Sequence, residues 1–180
     1  MLNSKNIYDV VIIGAGFAGL YSLFKAKSYN LNAIAIERGS DVGGTWYWNR
    51  YPGARCDVES MQYSYQFSRE LQEDWEWTEK YATQPEILEY ASHVADRFKL
   101  RKNILFNTEI KAAKFIEDKN IWELKDHENK LIKTKFCIMA TGCLSTLNKP
   151  NFKNLKSFNG DILHTGNWPK HNVNLSDKVV

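Results

Sequence analysis

The chain has 180 residues, 43% of them hydrophobic and 25% charged, which is the profile of an ordinary globular protein large enough to bury one real core. A net charge of +3, with no basic run interleaved with aromatics, excludes a nucleic-acid binder, and no apolar run reaches bilayer length, so no membrane span is expected. Cys56, Cys137 and Cys143 are odd in number and show no paired spacing; with no secretory signal pattern ahead of them they read as reduced thiols of a cytoplasmic protein, not as a disulfide frame or a zinc site.

Ile7 to Ile13 is an apolar, β-branched run of the kind that forms a strand buried on both faces. Gly14-Ala-Gly16-Phe-Ala-Gly19 follows at once. Leu20 to Tyr29 then shows helical spacing, and Leu31 to Ile36 reads as a second strand ending on Glu37. This is the βαβ dinucleotide fingerprint in its required context. Gly14 makes the tight turn, Gly16 admits a pyrophosphate, and Gly19 lets helix and strand pack closely. The phosphates of the ligand sit on the helix N-terminus, where free N–H groups and the dipole favour an anion. Glu37, about twenty residues on, is placed to accept hydrogen bonds from a ribose diol, a reading preferred over a plain surface carboxylate.

The stretch Gly43-Gly44-Thr45-Trp46-Tyr47-Trp48-Asn-Arg50-Tyr-Pro-Gly53-Ala-Arg55-Cys56-Asp57 combines twin glycines, flat aromatic surface and charge. Such a mixture suits a pocket for a planar, charged ligand. A second close-approach glycine site implies a dinucleotide that folds back past this loop, and Glu37 argues against a 2′-phosphate; FAD is preferred over NAD. Tyr63 to Tyr81 reads as irregular or short elements in which Trp75 and Trp77 are core anchors. Thr83-Gln-Pro-Glu86 reads as a capping box with proline in the first turn. The helix it opens carries Ile87, Tyr90, Ala91, Val94 and Phe98 on one face, with His93 solvated off that face.

Ile104 to Asn107 is a short strand, and Glu109 to Ile116, Ile121 to Lys125 and Leu131 to Phe136 form a three-stranded meander with His127 in a turn. Cys137 to Ala140 then resumes a buried strand that ends in Thr141-Gly142, where backbone could again approach a cofactor. Residues 158–169 read as a loop with a turn, in which His164 has no second ligand at metal spacing. Leu175 to Val180 looks like a turn followed by the first residues of a strand, so the chain is expected to be a fragment. The fold class expected is α/β: a Rossmann-like FAD-binding domain with a central parallel sheet and a three-stranded β-meander, incomplete at its C-terminal side. Residues 1–150 would hold the FAD-binding part, and 151–180 a linker leading to an NADPH-binding domain.

Three motifs together resemble the flavin-dependent Baeyer–Villiger monooxygenases, particularly the phenylacetone and cyclohexanone type. They are Gly14 to Gly19 with Glu37; Gly43-Gly-x-Trp46 through Tyr51-Pro-Gly53 to Asp57; and Phe158-x-Gly160-x-x-x-His164-x-x-x-Trp168-Pro169, which looks like the family's fingerprint. The resemblance runs from about Tyr8 to the last residue and implies the N-terminal third of such a protein. It implies FAD contacts by Gly14, Gly16, Ala18, Gly19 and Glu37, by Thr45, Trp46, Tyr47 and Trp48, and by Asp57, Tyr63, the backbone at Ile110, and Gly142. Arg55, Cys56 and Asp57 would face NADPH. NADPH reduces the flavin in that family, and one atom of dioxygen is inserted next to a ketone carbonyl to give an ester or lactone. Asp57 corresponds to the carboxylate that pairs with a catalytic arginine, and that arginine is not in this chain. His164 and Trp168 would belong to a linker coupling the two cofactor domains.

No second dinucleotide motif follows within the 180 residues, so the chain alone is expected neither to consume NADPH nor to convert ketones. Two other readings compete. One is a flavin monooxygenase acting on nitrogen or sulfur, against which the Trp168-Pro169 ending speaks; the other is a truncated, non-catalytic FAD-binding module. A flavin disulfide reductase is set aside because no redox cysteine pair follows the first glycine motif.

Overall fold

The computed structural model describes residues 7–179. The β-branched run before the glycines forms β1 (Tyr8–Ile13), with Val11 and Ile12 wholly buried. Such burial requires cover on both faces and partners on both edges. β1 pairs in parallel with β2 (Ala33–Ile36) on one side and with β6 (Leu131–Met139) on the other. β3 (Ile104–Leu105) extends the parallel part beyond β2; β5 (Ile121–Asp126) and β4 (Ile110–Ile116) extend the sheet antiparallel beyond β6. One six-stranded sheet results, in the order β3-β2-β1-β6-β5-β4.

The first helix, α1 (Phe17–Ser28), starts inside the glycine fingerprint and not at Leu20. Gly16 takes an extended conformation as its N-cap, and Gly19 falls in the first turn, where a Cβ would lie 2.0 Å from the Gly14 carbonyl oxygen. Only glycine lets the helix begin so close to the strand it leaves. Leu20, Leu23 and Ala26 are buried on the sheet side. The second strand begins at Ala33 and not at Leu31, because the Leu31 N–H still bonds back to Ala26 O at the helix exit.

Between β2 and β3 lie the short helical turns α2 (Thr45–Trp48), α3 (Ser60–Tyr63) and α4 (Arg69–Glu73), one long helix, α5 (Gln84–Arg97), and a 3-10 turn, Arg101–Asn103. Ile87, Tyr90, Ala91 and Val94 of α5 are buried, as the spacing predicts. Trp75 and Trp77 pack around the Tyr90 ring at 5.2 and 5.0 Å between centroids, which fits core anchors. Two local expectations fail here. The capping box does not form: Thr83 is the N-cap but makes no side-chain bond, and Glu86 Oε1 instead accepts from the Thr78 N–H at 2.7 Å. His93 is not solvated; it is half-buried, 5.4 Å from the Trp75 ring.

The meander strand Leu131–Phe136 and the strand Cys137–Ala140 are one continuous element, β6. Its first part pairs with β5 (Lys125 opposite Leu131, Trp122 opposite Thr134) and its second with β1 (Tyr8 opposite Thr134, Ile13 opposite Met139). Beyond Thr134 only β1 pairs with it among the described residues, so Ile138 and Met139 stand exposed where a buried strand was expected over Cys137 to Ala140. Residues 141–179 contain only short turns, among them Leu155–Ser157 and Thr165–Asn167, and are mostly exposed. The expected turn near Leu175 is present, with the Lys178 N–H on Leu175 O. Val179 is not in a strand, and the rest of that expected strand, Val180, lies outside the described residues.

Candidate functional site

The site starts where β1 ends. Gly14, at a φ of +106°, turns the chain, and its N–H bonds to Ile36 O at 2.8 Å, tying the turn to the end of β2. The twin-glycine loop docks directly on this turn. The Gly43 N–H bonds to Ala15 O at 3.1 Å, and Gly16 and Gly44 meet backbone to backbone. A Cβ on Gly16 would stand 3.2 Å from Gly44 Cα, and one on Gly44 2.8 Å from Gly16 Cα. The missing side chain at Gly16, read from the sequence as room for a pyrophosphate, is thus also room for Gly44. The N-terminus of α1 has no side-chain cap and no acidic residue in its first turn, so its free N–H groups face outward uncompensated.

Glu37 closes the other side. It is 5% exposed, which discards the plain surface carboxylate. Its Oε2 accepts from the Ala15 N–H at 2.8 Å and its Oε1 from the Gly39 N–H at 2.7 Å. A carboxylate has about four acceptor positions. Two are spent on backbone, and the residue still lines the cavity.

That cavity measures about 460 Å³, within the range of roughly 300–1,000 Å³ typical of small-molecule and cofactor sites. The glycine turn contributes Gly14, Gly16 and Ala18, with Glu37 beside them. α2 and α3 contribute Thr45, Trp46, Trp48 and Tyr63, and the far wall contains Ile110 and Gly142. The aromatic part of the wall is held by contacts among its own rings. The Trp46 Nε1–H donates to the Tyr63 hydroxyl at 2.8 Å with the rings edge to face, and Phe17 meets Tyr63 edge-on at 5.2 Å. Burial pushes the Tyr63 phenol up, against the opposing bond from Trp46. The Arg38 guanidinium lies 4.6 Å from the Trp48 ring and donates to Ser145 O at 3.1 Å. Arg38, Thr108, Glu109 and Ser145 also line the cavity and were missed from sequence. Arg38, next to Glu37, carried a positional signal; Ser145 carried none.

Several expected site residues lie elsewhere. Gly19 packs on Gly14 O behind the turn. Tyr47 turns away from the cavity to Ser40. Burial raises its phenol, but the Ser40 bonds and the Lys170 and Arg50 charges outweigh that and bring it below the ordinary value. The Cys56 side chain is buried among Trp46, Ala82 and Ile87. Arg55 pairs on the surface with Glu79 at 2.7 Å, and Asp57 is exposed. A second cavity of about 440 Å³ shares Arg38, Trp48 and Glu109 with the first and reaches His127, Gly166 and Asn167. Phe158, Gly160, His164, Trp168 and Pro169 line neither cavity. His164 instead braces its own segment. Its Nδ1 accepts from the Gly166 N–H at 3.0 Å and its Nε2 stands 3.2 Å from Asn148 O, partners that together require the Nε2–H tautomer. Among the described residues, no helix is long and apolar enough to cross a membrane, and no group of three or more potential metal ligands occurs.

The model of the family described as pyridine nucleotide-disulphide oxidoreductase matches residues 11–178. Over 99% of its length the chain is 43% identical to a Baeyer-Villiger monooxygenase of Pseudooceanicola batsensis, covering 33% of that protein. It is also 43% identical to the phenazine N-monooxygenase PhzNO1 of Lysobacter antibioticus, over 93% of the chain and 31% of that protein. Among solved structures, an oxidized steroid monooxygenase bound to NADP matches with a TM-score of 0.89 at 50% identity, over 96% of this chain and 33% of that one. OTEMO in complex with FAD and NADP matches with a TM-score of 0.84 at 42% identity, over 90% of this chain and 31% of that one. The chain thus spans about a third of the length of the relatives it matches.

Proposed function

Because the chain belongs to the pyridine nucleotide-disulphide oxidoreductase family, we propose that its cavity holds FAD and that it serves an NADPH-dependent monooxygenase of the Baeyer–Villiger type. The reaction would insert one atom of dioxygen next to a ketone carbonyl to give an ester or lactone. Bound FAD supplies the two-electron carrier that NADPH reduces and that, once reduced, activates dioxygen.

The observation that carries this reading is Glu37: a buried carboxylate that lines the cavity and has one backbone N–H on each oxygen, which leaves acceptor capacity for a ligand. A ribose diol matches that demand. The diphosphate would lie over Gly14, Gly16 and Ala18 at the free start of α1, an arrangement worth about 0.3–2 kcal/mol for an anion. Thr45, Trp46 and Trp48 would flank the ring system, with Tyr63, Gly142 and the backbone of Ile110 completing the wall. Trp46 and Tyr63, already bonded to each other, exclude water from that side without having to reorganise. Arg55 and Asp57 are exposed on either side of Cys56 and would meet NADPH, with Cys56 offering only its backbone. Asp57 would orient an arginine that this chain does not contain. Residues 1–150 act as the FAD-binding part and 151–180 as the linker in this reading, in a cytoplasmic protein.

Oxygenation of nitrogen is the second reading, supported by the likeness to the phenazine N-monooxygenase, which has the same 43% identity as the Baeyer-Villiger relative over 93% rather than 99% of the chain. Titrating the purified chain with FAD tests the cofactor assignment. Quenched flavin fluorescence with one-to-one stoichiometry is the expected outcome; fluorescence indistinguishable from free FAD at tens of micromolar protein overturns it.

A further inference from the structure

In the run Thr45-Trp46-Tyr47-Trp48, three side chains face the cavity and Tyr47 does not. It is 8% exposed, so it packs against something, and what it packs against is the backbone behind Glu37. A Cβ on Gly39 would meet Tyr47 Cε1 at 2.8 Å and Glu37 Oε1 at 3.1 Å. The tyrosine ring and the carboxylate therefore both close on the side of Gly39 where a side chain would stand. The Tyr47 hydroxyl accepts from the Ser40 N–H at 3.2 Å and shares a 2.8 Å hydrogen bond with Ser40 Oγ. The N–H of Gly39, one residue earlier, is the donor that holds Glu37 Oε1 at 2.7 Å. The opposite side of this short segment is tied by the Asn107 N–H to Gly39 O at 2.9 Å. The Arg50 guanidinium covers the Tyr47 ring at 5.1 Å.

We infer that Tyr47 is a positioning residue for Glu37: by fixing Gly39 and Ser40 it sets the carboxylate orientation that presents the remaining acceptor positions to a ligand diol. The inference rests on the reading above, that Glu37 meets the ribose of FAD. It explains why an aromatic residue with a hydroxyl stands in a run whose neighbours line the cavity: the ring fills the space beside Gly39, and the hydroxyl holds Ser40. A carboxylate free to rotate would have to be ordered on binding, and that ordering would weaken every complex that uses it.

The test is a double-mutant cycle on FAD affinity, measured by fluorescence titration of the chain, with a thermal melt of each variant. Tyr47→Phe removes the hydroxyl and keeps the ring. Ser40→Ala removes one of the partners and serves as the second variant should Tyr47→Phe not fold. Each is expected to weaken FAD about 3- to 10-fold, the range of one ordinary neutral hydrogen bond. In a Glu37→Gln background the same substitutions are expected to cost less than about 2-fold, because the group they orient has already been altered. Full affinity in Tyr47→Phe, or an equal loss with and without Glu37→Gln, overturns the positioning role while leaving FAD binding intact. A wild-type chain with no affinity for FAD overturns the proposed function, and this inference with it.

Discussion

Replacing Glu37 with alanine should destabilise the fold itself, before any ligand is added. The carboxylate is 5% exposed and is the acceptor for two backbone N–H groups, Ala15 at 2.8 Å and Gly39 at 2.7 Å. Alanine leaves both donors without a partner, and a buried unsatisfied group costs about 1–3 kcal/mol. Relief from burying a charge offsets part of this, so a net loss of about 3 kcal/mol is expected in Glu37→Ala. Glu37→Gln keeps one carbonyl acceptor but turns an amide NH₂ toward the other donor, and should lose less. With m about 1–3 kcal/mol/M in urea, the alanine variant should unfold at a midpoint lower by about 1 M or more. Urea unfolding followed by tryptophan fluorescence reads this directly, since Trp46, Trp75 and Trp77 all sit in or against the core clusters. A midpoint within about 0.2 M of wild type at unchanged m would refute the bracing role of the carboxylate.

Gly16→Ala should push the twin-glycine loop off the first turn, since its Cβ would stand 3.2 Å from Gly44 Cα; a loss of about 1–3 kcal/mol and weaker FAD binding are expected, and a wild-type melt would contradict the contact. Thiol titration should show three classes: exposed Cys143 fast, half-buried Cys137 slow because burial pushes its thiol up, and buried Cys56 only after unfolding; three equal rates in the native state would be inconsistent with this packing. Asp9 is held below the ordinary carboxylate value by Lys135 Nζ at 2.8 Å and then by the Asn32 N–H. A depressed folded pKa contributes stability that is present above the unfolded value of about 3.8 and is lost as pH falls through the folded one. Melting temperature measured from pH 6 to 2.5 should therefore fall less steeply at the acid end in Asp9→Asn, and an unchanged slope would remove the β1–β6 ion pair from the account.

The parts of this fold that local chemistry dictates were legible in the sequence. Three glycines, a β-branched run and an acid at the end of the next strand specify β1, α1 and β2 in register. The helical face of α5 follows from Ile87, Tyr90, Ala91 and Val94, and the meander turns are marked by Asn120 and Asn129, both left-handed at φ of 50° and 65°. What was not legible depends on contacts between distant residues. Gly16 and Gly44 touch because two loops dock, and nothing in either motif names the other. The continuity of β6 was hidden because its neighbours change along its length: the antiparallel pairing with β5 ends at Thr134, and beyond it only β1 pairs with the strand among the described residues. Tyr47 sits among cavity-lining neighbours, yet in one short helical turn its direction differs from theirs. For Thr83 and Glu86 the cap motif was present, but the Thr78 N–H competes for the glutamate and wins.

A crystal structure of the chain with FAD would locate the flavin. Diphosphate density is expected over the start of α1, with ribose hydroxyls within hydrogen-bond reach of Glu37 and the isoalloxazine beside Thr45–Trp48. Density for FAD away from the cavity that Glu37 and Trp46 line, or with its ring system remote from the twin-glycine loop, would contradict this placement.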